Sequence, residues 1–252
     1  EGLQHEDGHS QVFASFIPNC ISYDPTYSYE LAVIVQDGLR RMLHEQQDVY
    51  YYITVMNENY HHPEMPKGVE EGILRGMYLL REGPQAKNGR VQLLGSGSIL
   101  REVEAAADLL AADFGIGADV WSVTSFNGLR RDGIDAERWN LVHPQEKPRQ
   151  PYVAQCLSGR EGPAIASTDY IRTFADQIRP YLDRRYVSLG TDGFGRSDLR
   201  RKLREFFEVN RCYVAVAALK ALADDGKIEP SVVATAIKKY GLNPDKPNPA
   251  TV

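Results

Sequence analysis

Two imidazoles and two carboxylates stand together near the start of the chain, in His5-Glu6-Asp7-Gly8-His9, with one glycine among them. That density suits proton transfer, metal binding or contact with a polar substrate. The His-x3-His spacing would bring both rings to one face of a helix, where a metal could take them. Gly8 and the polar neighbours argue against a helix here. Polar substrate contact or proton transfer is the better functional reading, with a solvated loop as the plain alternative. A site this near the beginning of the sequence is expected to borrow walls from elsewhere.

Other stretches carry weaker chemistry. Gly95-Ser96-Gly97-Ser98 follows an apolar run and opens a helix, so unpaired N–H groups could meet an anion. The third position of a dinucleotide fingerprint is Leu100, and the phosphate-loop lysine is absent, so a tight strand-to-helix turn competes with an anion or nucleotide site. Gly190-Thr191-Asp192-Gly193-Phe194-Gly195-Arg196-Ser197 reads as a turn whose Phe194 plugs the core, or as a phosphate or partner contact. His61 and His62 are adjacent and precede Pro63; on an extended chain they point opposite ways, which serves one ion poorly. No serine sits in a nucleophile elbow. Trp139 and His143 read as packing or surface residues, with an interface as the other possibility.

Strands and helices alternate to position these groups. Ile21–Tyr23 predicts a short strand, Tyr29–His44 a helix and Val49–Met56 a buried strand. Residues 57–72 lose periodicity and carry Pro63, Pro66 and Gly68, as a linker does. Beyond them, strands are predicted at Ile73–Leu80, Val91–Leu94, Asp119–Thr124, Tyr152–Leu157 and Tyr186–Leu189, with a short apolar segment at Ala164–Ser167. Helices are predicted at about 100–113, 169–181, from the Ser197 cap to Phe207, at 213–223, and from Pro230 to Tyr240. Residues 1–19 and 127–150 read as irregular, and the proline-rich tail 243–252 as frayed. The pattern implies an α/β fold, with a mostly parallel sheet covered by helices on both faces.

The chain has 252 residues, 42% hydrophobic and 25% charged, which suits an ordinary soluble globular protein of one large or two small domains. A net charge of −5 argues against a nucleic-acid surface, and no apolar run spans a bilayer or resembles a signal peptide. Cys20, Cys156 and Cys212 are far apart and odd in number, as reduced thiols of a cytoplasmic protein would be. The first residue is Glu, which suggests a piece of a longer chain.

Gly2-Leu3-Gln4-His5-Glu6-Asp7-Gly8-His9-Ser10, Ile17-Pro18-Asn19-Cys20-Ile21-Ser22-Tyr23-Asp24-Pro25, Tyr50-Tyr51-Tyr52-Ile53-Thr54 and Asn57-Glu58-Asn59-Tyr60 resemble the homodimeric-type bacterial pyruvate dehydrogenases. So do Leu94–Leu100, Ser122–Phe126, Glu137–Asn140 and Gly190–Asp198, and the resemblance extends over essentially the whole chain. These are transketolase-like thiamine diphosphate enzymes. The resemblance implies the end of a pyrimidine-binding α/β domain at 1–60, a linker at 61–72, and a transketolase-like C-terminal α/β domain at 73–252. It implies thiamine diphosphate and Mg²⁺ as cofactors, held mainly by parts of the enzyme outside this chain, since the diphosphate motif and the cofactor-activating Glu are missing. The implied partners are the N-terminal remainder of the enzyme, a homodimer partner and the dihydrolipoyl acyltransferase of the complex. On this resemblance His5 is the catalytic candidate, hydrogen bonding to the pyruvate carbonyl or the covalent intermediate. Asp7 and His9 are further substrate-binding candidates. Gln11 stands where transketolases have a phosphate-binding His, and Met56 is near the place of their Arg, which suits a small substrate without phosphate. A regulatory module that binds an anion or nucleotide and a purely structural dimerisation or docking domain are the alternatives.

Overall fold

The computed structural model describes residues 6–252, so His5 lies outside the described residues. After a short helix α1 (Ser10–Ser15), two parallel strands form a small sheet: β1 (Cys20–Tyr23) and β2 (Tyr50–Ile53). They are joined by α2 (Ser28–Leu39), which continues as one π-helical turn at Arg40–His44. A five-stranded sheet follows, in the order β3 (Tyr78–Arg81), β5 (Gly117–Ser122), β4 (Arg90–Gly95), β6 (Ala164–Ser167), β7 (Tyr186–Leu189). Only β3 runs antiparallel.

Helices cover both faces of the large sheet, because its strands are apolar on both sides. Val91, Leu93, Val120 and Ile165 pack with α4 (Leu100–Phe114), α9 (Arg211–Asp224) and α10 (Pro230–Lys239). The alternate positions Leu94, Trp121, Ala164 and Ala166 pack with α5 (Phe126–Val142), α6 (Tyr152–Leu157) and α7 (Arg172–Asp176). The period-2 alternation of a strand assigns each residue to its face. None of the described helices is long and apolar enough to cross a membrane.

The small sheet is fastened to the large one at the carboxyl ends of its strands. Asp24, just after β1, donates its N–H to Thr124 O (2.8 Å), and its carbonyl accepts from Gly97 N (3.1 Å). Glu30 on α2 is fully buried, and it accepts from Thr26 N, Tyr27 N, Tyr78 Oη and Ser122 Oγ. Four donors make such a buried carboxyl tolerable, although burial still raises its affinity for a proton.

Several elements differ from what the pattern predicts. Residues 127–142 are helical: Phe126, Leu129, Gly133 and Ala136 make a narrow buried stripe, and the Ser125 hydroxyl caps the start by accepting from Gly128 N. A stripe that thin leaves the remaining positions polar, which hides the period. Tyr152–Leu157 is a helix, with Val153 and Leu157 buried one turn apart, and not a strand. Residues 70–75 form helix α3 (Glu70–Arg75), closed by Gly76 at φ 107°, so the strand begins only at Tyr78. The helix expected over 169–181 is α7 alone, followed by a 3-10 turn at Arg179–Tyr181, where Pro180 withholds an N–H. β2 is half-buried, since β1 is its one strand partner among the described residues.

The segment before β1 also folds more than expected. Asp7 Oδ1 accepts from the N–H groups of His9 (3.1 Å) and Ser10 (2.9 Å), and this starts α1. At the other end, helix α8 (Arg200–Phe206) begins after Leu199, not at Ser197. The tail is docked. Lys246 Nζ pairs with Glu208 (3.0 Å) and donates to Phe206 O, and Pro249 is buried. All three cysteines are free thiols.

Candidate functional site

A cavity of about 630 Å³ opens at the carboxyl ends of β2, β6 and β7. This is where open parallel sheets generally hold ligands. One wall is Glu6–His9, a second Tyr52–Met56, and a third the run from Gly193 to Arg204. Asp169 and Tyr170, just after β6, lie at its base.

The candidates near the start of the chain do not behave alike. His9 lines the cavity and is exposed, with its ring stacked near Phe13 at 6.3 Å. Asp7 also faces the cavity, but its carboxylate is taken up by the start of α1, receiving Ser10 Oγ as well as the two N–H groups. Gly8 places the loop by accepting from Ile171 N (3.0 Å).

The two glycine-rich turns have opposite fates. Ser96, Gly97 and Ser98 are buried, and a Cβ on Gly97 (φ 51°) would stand 2.6 Å from the Asp24 carboxylate. Gly97 N is spent on Asp24 O and Ser96 N on Ser167 O (3.3 Å). The chain's own carboxylate sits where an anion would, so this is a tight turn and its anion-binding reading is not supported. In the turn after β7, Gly193 lies against Pro249, Gly195 against Glu6, and Arg172 pairs with Asp192 at 2.6 Å. Phe194 does not plug the core: it is 82% exposed, because the neighbouring glycines are held by the tail and by Glu6 while the ring projects outward.

The titratable groups that sequence reasoning misses lie deeper. Asp24 is buried, and its Oδ1 accepts from Thr54 Oγ1 (2.8 Å), while Oδ2 has no well-aligned hydrogen bond. Burial pushes its carboxyl up to about 7, helped by the charges of Asp169 and Glu30 and opposed by the hydroxyls of Thr54 and Ser96. Asp169 is raised too, by burial, against the pull of Arg204 and Arg200. Burial alone would raise Glu58, but Arg204, Arg101 and Arg200 outweigh it and hold Glu58 below the usual carboxylate range. Through Glu58 the stretch after β2 is tied to α4 at Arg101 (3.1 Å) and to α8 at Arg204. One signal could have found Asp24, Thr54 and Asp169: each follows closely on the end of a parallel strand.

Metal chemistry finds no support among the described residues, where no group of three or more His, Cys, Asp or Glu could hold an ion. His62 Nδ1 accepts from Ser28 N (3.0 Å) and its ring stacks on Tyr60 at 4.6 Å. Trp139 and His143 stack on each other at 3.5 Å, with Arg149 over the indole.

Residues 1–63 match the family described as the pyruvate dehydrogenase E1 component middle domain, and residues 76–210 match the transketolase-like TK C-terminal domain. Curated relatives named pyruvate dehydrogenase E1 component are 66% identical in Pseudomonas aeruginosa and 59% in Escherichia coli strain K12, each over 99% of this chain. The Cupriavidus necator relative is 66% identical over 100% of it. The chain spans 28% of the length of each. Among solved structures, transketolase from Campylobacter jejuni aligns with a TM-score of 0.59 at 17% identity, over 87% of this chain and 29% of that one. A Pichia stipitis transketolase complex with sedoheptulose-7-phosphate aligns with a TM-score of 0.62 at 17% identity, over 89% and 28%. At such identities these show the fold alone. Through residues 76–210, more than half its length, the chain belongs to the transketolase-like C-terminal domain family.

Proposed function

We propose that this chain is the substrate-side portion of a pyruvate dehydrogenase E1 component, an oxidoreductase that decarboxylates pyruvate and reductively acetylates lipoyl groups. The observation that carries this reading is the cavity: it draws its walls from residues 6–9 ahead of α1, from 52–56 at the carboxyl end of β2 and from the 193–204 run that follows β7. The relatives' printed name and their 66% identity support the activity. The organisation we favour is the end of a pyrimidine-binding domain at 1–60, a linker at 61–72 and the C-terminal domain at 73–252, in a cytoplasmic enzyme.

Within this reading His5 is the group that hydrogen bonds to the pyruvate carbonyl, and His9 a second donor from the exposed wall of the cavity. An imidazole can both donate to a developing oxyanion and release a proton near neutral pH. Asp7 keeps the loop in place through its hold on α1, so its effect on substrate runs through the loop's geometry. Arg196 and Arg200 put positive charge on the opposite wall, which suits a carboxylate-bearing substrate.

Thiamine diphosphate, the cofactor this reading requires, supplies the electron sink for decarboxylation when bound. Among the described residues no group of three or more His, Cys, Asp or Glu could hold a metal ion, so the residues present do not fit the cofactor's diphosphate end. The N-terminal remainder of the enzyme and Mg²⁺ must provide that end. Phe13 (62% exposed), Phe16 (72%) and the outer residues Leu39 and Leu43 suit packing against that remainder or a homodimer partner. The dihydrolipoyl acyltransferase would accept the acetyl group.

The test is made in the full-length enzyme carrying this sequence, with thiamine diphosphate, Mg²⁺ and pyruvate. His5→Ala is expected to lower acetyl transfer to lipoamide on the order of 10²-fold, and His9→Ala by less. Unchanged transfer in His5→Ala would remove His5 from the mechanism. An enzyme that leaves pyruvate untouched would remove the activity itself.

A further inference from the structure

Asp24 fills the Gly95–Ser98 turn, but filling it does not require an ionisable group, and the proposed chemistry does not yet use one. It sits between the two sheets, where an uncharged residue of the same size would satisfy Thr54 equally well. The acids nearest it are Asp169 after β6 and Glu30 on α2, and both oppose its ionisation. Its main chain is bonded to Thr124 O after β5 and to Gly97 N after β4, while the carboxyl itself meets Gly97, the Ser96 hydroxyl and, after β2, the hydroxyl of Thr54. The Tyr170 ring beside Thr54 is itself held neutral by burial. Among these neighbours there is no cation to compensate a carboxylate.

Thr54 connects this carboxyl to the cavity. Its hydroxyl lies 2.8 Å from Asp24 Oδ1 and 3.3 Å from Tyr23 O, and accepts from Gln11 Nε2 at 2.9 Å. Thr54 also lines the cavity, as do Asp169 and Tyr170. A threonine hydroxyl has a single hydrogen and two acceptor positions. While Asp24 is ionised, that hydrogen points at Asp24. When Asp24 carries a proton, Oδ1–H can donate to Oγ1, and the Thr54 hydrogen is released toward Tyr23 O or toward a ligand.

We propose that Asp24 is the proton reservoir of this cavity, and that the Thr54 hydroxyl relays its proton to an oxygen of the bound ligand. The step balances as a proton relay. The Thr54 O–H bond breaks as the ligand O–H bond forms, Thr54 regains a proton from Asp24 Oδ1, and Asp24 is left as a carboxylate. Reloading draws one proton from solvent through the cavity, past Asp169. The ligand class is a small carbonyl compound or its alkoxide, which rests on the proposed function. Asp24 touches no ligand and acts through Thr54, so its role is to store and position the proton.

The test uses the full-length enzyme and two readouts. Infrared difference spectra recorded across neutral pH should show a protonated-carboxyl band that titrates near pH 7 and is missing in Asp24→Asn. Adding pyruvate as the probe should change that band in the wild type. In steady-state kinetics, Thr54→Val should lower kcat about tenfold or more and flatten its fall at alkaline pH, with KM little changed, whereas Thr54→Ser should restore both. Absence of any band that Asp24→Asn removes overturns the reservoir. Equal kinetics for Thr54→Val and Thr54→Ser overturn the relay, since a purely packing role would not distinguish a lost hydroxyl from a lost methyl. A wild type that shows the titrating band but does not consume pyruvate leaves the reservoir standing and defeats only the proposed substrate.

Discussion

The turns Gly95–Ser98 and Gly190–Ser197 both follow a parallel strand, both are rich in glycine, and both precede a helix. The first is closed from within by Asp24, and its serines and Gly97 are buried. The second leaves Phe194 exposed and gives Gly193, Gly195 and Arg196 to the cavity wall. Local composition could not separate them, because what closes the first turn comes from far upstream, at residue 24. A glycine-rich strand-to-helix turn is a binding site only if the rest of the chain leaves it empty. Substitutions at the glycines and their fillers measure that difference.

The largest effect is expected at Gly97→Ala. The backbone there is left-handed at φ 51°, and the new Cβ would stand 2.6 Å from a buried carboxylate. Strain and overlap together should cost about 4 kcal/mol, read as a large drop in the denaturation midpoint. If the turn were open as its counterpart is, the cost would be the backbone strain alone, about 1 kcal/mol.

Next is the filler itself. A carboxyl whose folded-state pKa is raised keeps its proton at pH values where the unfolded chain has lost it. Stability therefore falls as pH rises from about 4 to about 7 and is level above that. Holding the proton up to about pH 7, and not to the ordinary value near 4, corresponds to about 4 kcal/mol. Of this, Asn should recover about 3 kcal/mol after the cost of its own burial. Asp24→Asn is expected to unfold later than wild type at about pH 8 and at nearly the same point at about pH 4. Urea titrations at both pH values would check this, and a gain independent of pH would contradict a neutral buried Asp24.

Much of this arrangement was legible in the chain. β1, β4, β5 and β7 lie where their β-branched and apolar runs put them, and α4, α9 and α10 follow their apolar periods. What failed has a common physical cause. α5 buries too few residues to show a period, α6 is short enough for an apolar run to read either way, and α1 depends on an Asp7 cap outside any apolar pattern. At the site, the resemblance singled out His5, which lies outside the described residues, and Asp7 and His9, which line the cavity. In the sequence Asp24 stands directly before Pro25, as the opening of an ordinary turn does. Its importance comes from the convergence of strand ends distant in sequence, which no window of residues contains. Phe194 was misjudged for the opposite reason: a large apolar side chain beside glycines looks like a plug, but here the glycines serve the tail and Glu6.

The open turn should tolerate what the closed one does not. Phe194→Ser removes a ring that is 82% exposed, so the denaturation midpoint should move by no more than about 0.5 kcal/mol in free energy. Gly195→Ala is more informative. Its Cβ would overlap the carboxylate of Glu6, but Glu6 is an exposed side chain near the start of the chain and can swing aside. Gly195 has no positive φ to preserve, so the cost to stability should stay below about 1 kcal/mol. The same displacement shifts the cavity wall that carries Asp7 and His9. On the proposed function, the KM for pyruvate in the full-length enzyme should therefore rise severalfold, while thermal unfolding hardly changes. A variant that loses stability as Gly97→Ala does would mean that this turn, too, is closed from within.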